Sequence, residues 1–261
     1  MIAYPHLDPV MLQIGPLALR WYGMMYTLSF LLAWPLITHR AQRFLPRLTA
    51  DGVGDLMVWL IVGVVLGGRL GYVIFYKPAV YLAAPLDIIK VWEGGMSFHG
   101  GFMGCLLAGW WFSRKQGLSF LEVTDLAAPA VPVGLFFGRI GNFINGELWG
   151  RMSDVPWAMV FPNAGPVPRH PSQLYEAALE GLLLFAVLMF LGRKAQPPGF
   201  LIGVFIAGYG LSRFVVEFAR EPDAHLGLLS LGLSMGQWLS LPMVFLGFGL
   251  SLWAPRRHAA G

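Results

Sequence analysis

Three arginines fall inside stretches of sequence that otherwise read as hydrocarbon-embedded. Of the eighteen Lys and Arg residues in the 261-residue chain, fifteen lie between long apolar stretches; Arg69, Arg139 and Arg213 lie within them. An arginine near the centre of a bilayer costs about 2.5–3.5 kcal/mol. Each therefore needs an anionic partner, a water-filled cavity, or both. A single such residue can be an interhelical ion pair or a side chain snorkelling to the interface. Three of them, accompanied by other polar groups, point to a shared functional cavity. Guanidinium offers planar, paired donors that match phosphate oxygens, so a buried arginine pair opening toward one leaflet suggests a phospholipid headgroup as ligand.

The accompanying groups share that geometry. Tyr209, Arg213 and Glu217 are spaced i, i+4, i+8 and so occupy one helix face, with a structural Arg213–Glu217 ion pair as the plainer alternative. Arg139 and Asn142 are i, i+3 neighbours, followed by Asn145 and Glu147. Ser97 and His99 precede Gly100-Gly101, a pair that permits close helix approach. Tyr22 stands at the start of the first apolar stretch, where aromatic belt residues also sit. The single cysteine, Cys105, excludes an internal disulfide and reads as a small packing residue. No cluster of His, Asp or Glu has metal-ligand spacing, and no Gly-rich loop follows a strand to cradle phosphate. Neither a metal nor a cofactor is expected.

The elements that must carry these groups follow from composition. Apolar residues make up 56% of the chain, charged residues 12%, and mean hydropathy is +0.62. Soluble domains carry about 25% charged residues, so this chain lacks the polar surface to cover itself in water. Seven apolar stretches are expected to span a membrane: about 21–37, 55–76, 96–112, 125–144, 174–191, 200–218 and 236–253. In hydrocarbon they must be helices, giving an all-α polytopic membrane protein read as one domain over residues 1–261. The region 145–172, rich in Gly and Pro, is expected to form a small cap.

Basic residues set the orientation. Arg40, Arg43, Arg47, Arg114, Lys115, Arg193, Lys194, Arg256 and Arg257 fall on one side; Arg20, Lys77, Lys90, Arg151, Arg169 and Arg220 fall on the other. The excess places the C-terminus in the cytoplasm and the N-terminus outside. The formal net charge of +4 is accounted for by orientation, so no nucleic-acid partner is expected. No cleavable leader is read at the N-terminus, and the first span is expected to direct insertion. On this orientation His99, Arg139, Asn142, Glu147, Tyr22, Arg213 and Glu217 all fall toward the outer leaflet. A flippase or transporter could use buried arginines as well, but its path requires polar groups reaching both sides. An intramembrane hydrolase is disfavoured because neither a Gly-x-Ser-x-Gly nor a His-Glu-x-x-His motif occurs.

The segment Gly138-Arg139-Ile140-Gly141-Asn142-Phe143-Ile144-Asn145-Gly146-Glu147-Leu148-Trp149-Gly150-Arg151 resembles the signature of the bacterial phosphatidylglycerol–prolipoprotein diacylglyceryl transferase family. GGMSFHGG at Gly94–Gly101, RHPSQLYE at Arg169–Glu176 and YGLSRFVVEFAREPDA at Tyr209–Ala224 agree, as do the LGGRLGYVIFY segment and the opening DPV…IGPLALRWYG. The resemblance covers nearly the whole chain in collinear order. It implies a seven-span enzyme of the bacterial inner membrane with its active site facing outward. It also implies transfer of the sn-1,2-diacylglyceryl group of phosphatidylglycerol to the lipobox cysteine of a prolipoprotein signal peptide. The products are a thioether and glycerol phosphate, in the first step of lipoprotein maturation.

Such chemistry makes two demands. The substrate thiol must lose its proton, and the departing phosphate must have its growing charge stabilised. By motif position Arg139 and Arg213 form the phosphate clamp. His99 is the leading proton acceptor, with Glu217 or Glu147 as alternatives that could instead orient an arginine. Asn142, Gly150 and Tyr22 match family positions implied to shape headgroup or peptide contacts, and Tyr209 joins the lipid-binding set. Arg69, Tyr209 and His170 rank behind these, Arg69 with a structural role and His170 with loop organisation as the alternatives.

Overall fold

The computed structural model describes residues 2–5, 7–15, 17–222, 227 and 229–259. Asp223 and Ala224, at the end of the fourth motif, lie outside the described residues, and so does the side chain of Arg257. Each of the seven apolar stretches falls on helix. The helices are α1 (Trp21–Phe44), α2 (Ala50–Phe75), the short α3 (Pro78–Ala83), α4 (Phe98–Lys115), α5 (Phe120–Ala127), α6 (Val131–Ile144), α7 (Ser172–Glu176), α8 (Leu184–Leu191), α9 (Phe200–Val216) and α10 (Met235–Ala259). A single 3-10 turn joins α5 to α6, and a π-helical segment, Ala177–Leu183, joins α7 to α8. Among the described residues four helices are, by length and composition, fit to cross a membrane: Ala50–Phe75, Phe120–Ile144, Ser172–Leu191 and Met235–Arg256; α9 is apolar but shorter.

The surface runs opposite to that of a water-soluble fold. Leu31, Leu66, Phe75, Leu107, Leu183, Phe190, Phe245 and Leu252 are all more than half exposed, while Glu176, Glu180 and Arg69 are buried. Large apolar side chains outside and ionised ones inside fit hydrocarbon as the surrounding solvent. The chain is a mostly helical membrane protein. One element was not anticipated: an antiparallel hairpin of β1 (Val10–Ile14) and β2 (Leu17–Arg20), register Gln13 to Ala18, feeding directly into α1. Two strands this short carry too little alternation to stand out beside a 24-residue helix.

The chain divides into two compact units. The second, residues 37–126, is organised by the crossing of α2 and α4. Gly63, Gly67 and Gly71 face Gly100 and Gly104 so closely that a Cβ at Gly71 would lie 2.8 Å from the Gly100 Cα. This is the small-residue seam by which membrane helices approach where no hydrophobic effect drives them together. Thr49 caps α2, its Oγ1 accepting from the Gly52 N–H at 3.1 Å, and Ser119 and Glu122 form a reciprocal capping box on α5.

The first unit, residues 1–36 and 127–261, contains the α9–α10 pair, brought together at Gly203, Ala207 and Gly247. Segment 145–172 belongs to this unit and has its own apolar centre: Tyr4, Met159 and Phe161, with Phe143 and Trp149 against them. The Tyr4 hydroxyl donates to the Phe143 carbonyl at 2.6 Å, which ties that centre to the end of α6.

A buried arginine–glutamate cluster as candidate active site

Arg139 on α6 and Arg213 on α9 meet in the first unit on Glu176, which lies between them in sequence. Arg139 donates through Nε (3.3 Å) and Nη2 (3.1 Å) to Glu180 Oε2, and its Nη1 lies 3.3 Å from Glu176 Oε2. Arg213 pairs with Glu176 Oε1 through Nη1 and with Glu217 through Nη2. Arg220 completes the set, its Nη1 donating to Glu176 Oε1 at 3.0 Å and its Nε lying 3.6 Å from Glu217 Oε1. Three cations thus meet three carboxylates in one connected cluster, with Glu176 touching all three arginines. Burial and then the neighbouring Arg213 pull the Arg220 guanidinium down from its ordinary value, opposed by Glu176 and Glu217.

Exposure separates the two kinds of charge. The Glu176 and Glu180 side chains are 0% exposed and Glu217 is 4%, whereas Arg139, Arg213 and Arg220 keep 16%, 19% and 13%. The carboxylates form the sealed floor, and only the arginines can be reached. Buried ion pairs stabilise weakly once desolvation is counted, so a cluster of six is better explained by what its exposed edge does.

Local sequence builds this floor. Glu176 and Glu180 are the only carboxylates in the stretch 174–191, and both lie on or beside the π-helical segment. Its wider turn is a local irregularity of the kind that gathers at functional sites. Gly181 lets that segment settle onto α6, where a Cβ would come within 2.7 Å of the Phe136 Cβ. Glu217 is held at the start of α10. Ser234 Oγ donates to its Oε2 at 2.6 Å, and Gly236 leaves room for the carboxylate. Ser234 and Gln237 in turn cap α10 reciprocally.

The remaining sequence candidates divide between the two units. Asn142 and Glu147 are joined by the turn that ends α6: the Glu147 N–H donates to the Asn142 carbonyl and the Gly146 N–H to that of Phe143, with Gly146 at φ +65°. This is a Schellman closure, and it folds Glu147 back so that Oε1 accepts from Asn142 Nδ2 (2.9 Å) and Asn145 Nδ2 (3.2 Å). Tyr22 packs its ring on Gly141 of α6, hydrogen-bonds Tyr26 at 3.3 Å, and lies within electrostatic range of Glu147 and Arg139. Tyr209 lies within the same range of Glu180, Arg139, Arg213 and Glu176.

Gly150 contributes space. Its N–H donates to the His170 carbonyl at 2.9 Å, its carbonyl accepts from Arg169, and a Cβ there would lie 2.7 Å from the His170 Cβ. His170 itself hydrogen-bonds the Tyr175 hydroxyl at 3.0 Å, to which Trp157 also donates. His170 thus organises segment 145–172.

His99 and Arg69 belong to the second unit. His99 is exposed at the start of α4, its ring edge-on to Phe98 at 5.7 Å. Arg69 is buried and committed to backbone: it donates to the carbonyls of Ile88 (2.7 Å), Asp87 (2.6 Å), Gly94 (2.6 Å) and Gly95 (3.2 Å), with Tyr81 under its guanidinium. Its role is to hold the segment between α2 and α4. Among the described residues no group of three or more His, Cys, Asp or Glu is placed to hold a metal ion.

Sequence reasoning missed Glu176, Glu180 and Arg220. A signal for the first two was present, since arginines buried in hydrocarbon demand buried anions and the fifth stretch carries two at i, i+4. Arg220 was counted as a surface charge because it follows the end of α9.

Fold and site together define an integral membrane protein whose helices enclose an ionised, arginine-edged cluster. The family profile described as prolipoprotein diacylglyceryl transferase matches residues 9–253, and the chain belongs to that family. It is 56% identical over 261 residues to the phosphatidylglycerol--prolipoprotein diacylglyceryl transferase of Pseudomonas aeruginosa (strain UCBPP-PA14), covering 100% of this chain and 98% of that protein. The proteins of the same name from Cupriavidus pinatubonensis (strain JMP 134) and Paraburkholderia xenovorans (strain LB400) are 55% and 52% identical, covering 99% and 98% of this chain and 95% and 96% of theirs.

Proposed function

We infer that this chain transfers the diacylglyceryl group of phosphatidylglycerol to a prolipoprotein. The observation that carries the chemistry is the arginine edge of a cluster whose carboxylates are sealed from any ligand. The thiol sulfur of the lipobox cysteine attacks the glycerol carbon that bears the phosphate. A C–S bond forms, the C–O bond breaks, and its electron pair leaves on the phosphate oxygen as glycerol phosphate. The phosphate thereby gains one negative charge while the thiol gives up its proton. Arg139 and Arg213 receive that charge. Because carboxylates already fix both guanidiniums, little reorganisation is needed at the moment of reaction, and five N–H donors on each leave capacity for phosphate oxygens.

His99 is the proposed proton acceptor, on its residue type and its place in GGMSFHGG, with Glu147 the other candidate. Glu217 has both oxygens engaged by Arg213, Arg220 and Ser234, which supports an orienting role. Asn142, Glu147, Gly150, Tyr22 and Tyr209 complete the proposed lipid- and peptide-binding set. We read the chain as one inner-membrane domain of seven spans, N-terminus outside and C-terminus in the cytoplasm, with segment 145–172 as an outward cap. Incubation of purified protein with phosphatidylglycerol vesicles and a lipobox peptide tests the reaction. The peptide is expected to gain the mass of a diacylglyceryl group, and no gain, or equal gain from a zwitterionic lipid, counts against it.

A further inference from the structure

We propose that Glu180 is a positioning residue for Arg139, fixing which edge of that guanidinium faces the lipid phosphate. The proposal rests on the reading of Arg139 as a phosphate donor. A guanidinium presents two usable edges, the side edge (Nε and Nη2) and the end edge (Nη1 and Nη2), and its plane sets their directions. Glu180 Oε2 takes both donors of the side edge, at 3.3 and 3.1 Å. Of the end edge, Nη2 is shared with the side edge and Nη1 lies 3.3 Å from Glu176 Oε2, an atom that makes no hydrogen bond among the described residues. The side edge is hydrogen-bonded through both its donors, while Nη1 of the end edge makes an ion-pair contact without a hydrogen bond.

Glu176 also lies against Arg139 but is shared with Arg213 and Arg220, whereas the ion pair of Glu180 goes to Arg139. Glu180 adds direction. It does so at a cost: its second oxygen, Oε1, is buried with no hydrogen-bond partner among the described residues, a condition that structures rarely tolerate without reason. Its side chain is 0% exposed, so it reaches the substrate only through Arg139. The charged groups facing it are Arg139 from α6, Glu176 from α7, and Arg213 from α9, with Tyr209 on the same helix.

The test compares purified full-length Glu180→Ala, Glu180→Gln, Arg139→Lys and the Arg139→Lys/Glu180→Ala double variant, with Arg139→Ala alongside. Folded amount is followed by thermal unfolding, and kcat and KM are measured with phosphatidylglycerol and a lipobox peptide. Glu180→Ala is expected to lower kcat about 10²-fold, with KM nearly unchanged. Glu180→Gln retains an oxygen for the side edge and should recover most of that loss. In the Arg139→Lys background there is no side edge to hold, so Glu180→Ala should add less than about threefold.

Wild-type kcat in folded Glu180→Ala overturns the proposal, as does an equal loss in both backgrounds. If Glu180→Ala fails to fold, the same comparison is made with Glu180→Met, which removes both acceptor oxygens at similar volume and whose loss must then depend on Arg139; an Arg139-independent loss, or none, overturns the proposal. An active Arg139→Ala would remove the phosphate-donor reading itself and the positioning role with it. A dead Arg139→Ala beside an active Glu180→Ala sinks only the latter.

Discussion

Arg213 on α9 and Glu176 on α7 are directly paired, though 37 positions apart in the chain, and the same Glu176 oxygen accepts from Arg220. A single carboxylate thus sets the spacing between two cations at the open edge of the cluster.

If that edge grips phosphate, removing either sequence-legible arginine removes stabilisation of the leaving group. Arg139→Ala and Arg213→Ala are each expected to lower kcat/KM by about 10³-fold or more. Both proteins should still be recovered folded from membranes, because Glu176 and Glu217 keep another arginine in either variant; Arg139→Ala, which leaves the buried Glu180 without its ion pair, should unfold at the lower temperature. Near-normal turnover in both would refute the clamp.

His99→Gln is expected to leave phosphatidylglycerol binding intact and to abolish turnover. Lipid binding by a fluorescent analogue and peptide modification by mass spectrometry separate the two effects. A variant with wild-type rates at every pH tested would remove His99 as proton acceptor and leave Glu147.

Two glycines at opposite ends of the 138–151 motif should behave oppositely. Gly150→Ala forces a Cβ against His170 and is expected to destabilise by about 1–3 kcal/mol, read as a lower unfolding temperature with activity lost in proportion. A Cβ added at Gly138 would meet nothing within 4 Å; Gly138→Ala, in mid-helix, should be neutral or stabilise by about 0.5–1 kcal/mol. A Gly150→Ala protein that is fully stable yet inactive would indicate substrate contact in place of packing.

Cys105→Ala should be nearly silent. The residue is half-buried on α4, and the transfer written above needs no enzyme nucleophile. A stably folded but dead variant would reveal a covalent intermediate.

Legibility in the sequence tracked the range of the interaction. The Arg213–Glu217 pair follows from i, i+4 spacing on one helix, and the Asn142–Glu147 contact from the proximity of a helix end to its own turn. Arg69 looked like Arg139 to any count of buried charge, since both are arginines in apolar helices. What separates them is the segment 87–95, whose carbonyls consume Arg69, while Arg139 meets carboxylates. The hairpin before α1 was invisible because its pattern is short.

By itself the sequence determined the solvent: a chain this apolar has to fold in hydrocarbon, and there its backbone has to be helical. It also determined that any arginine left inside must find an anion. Which anion each one found, and therefore which edge of each guanidinium stays free, was decided by tertiary packing alone. Electrostatic partners 37 or 41 residues apart are chosen by which helix faces come together, and glycines such as Gly181 decide how closely those faces approach.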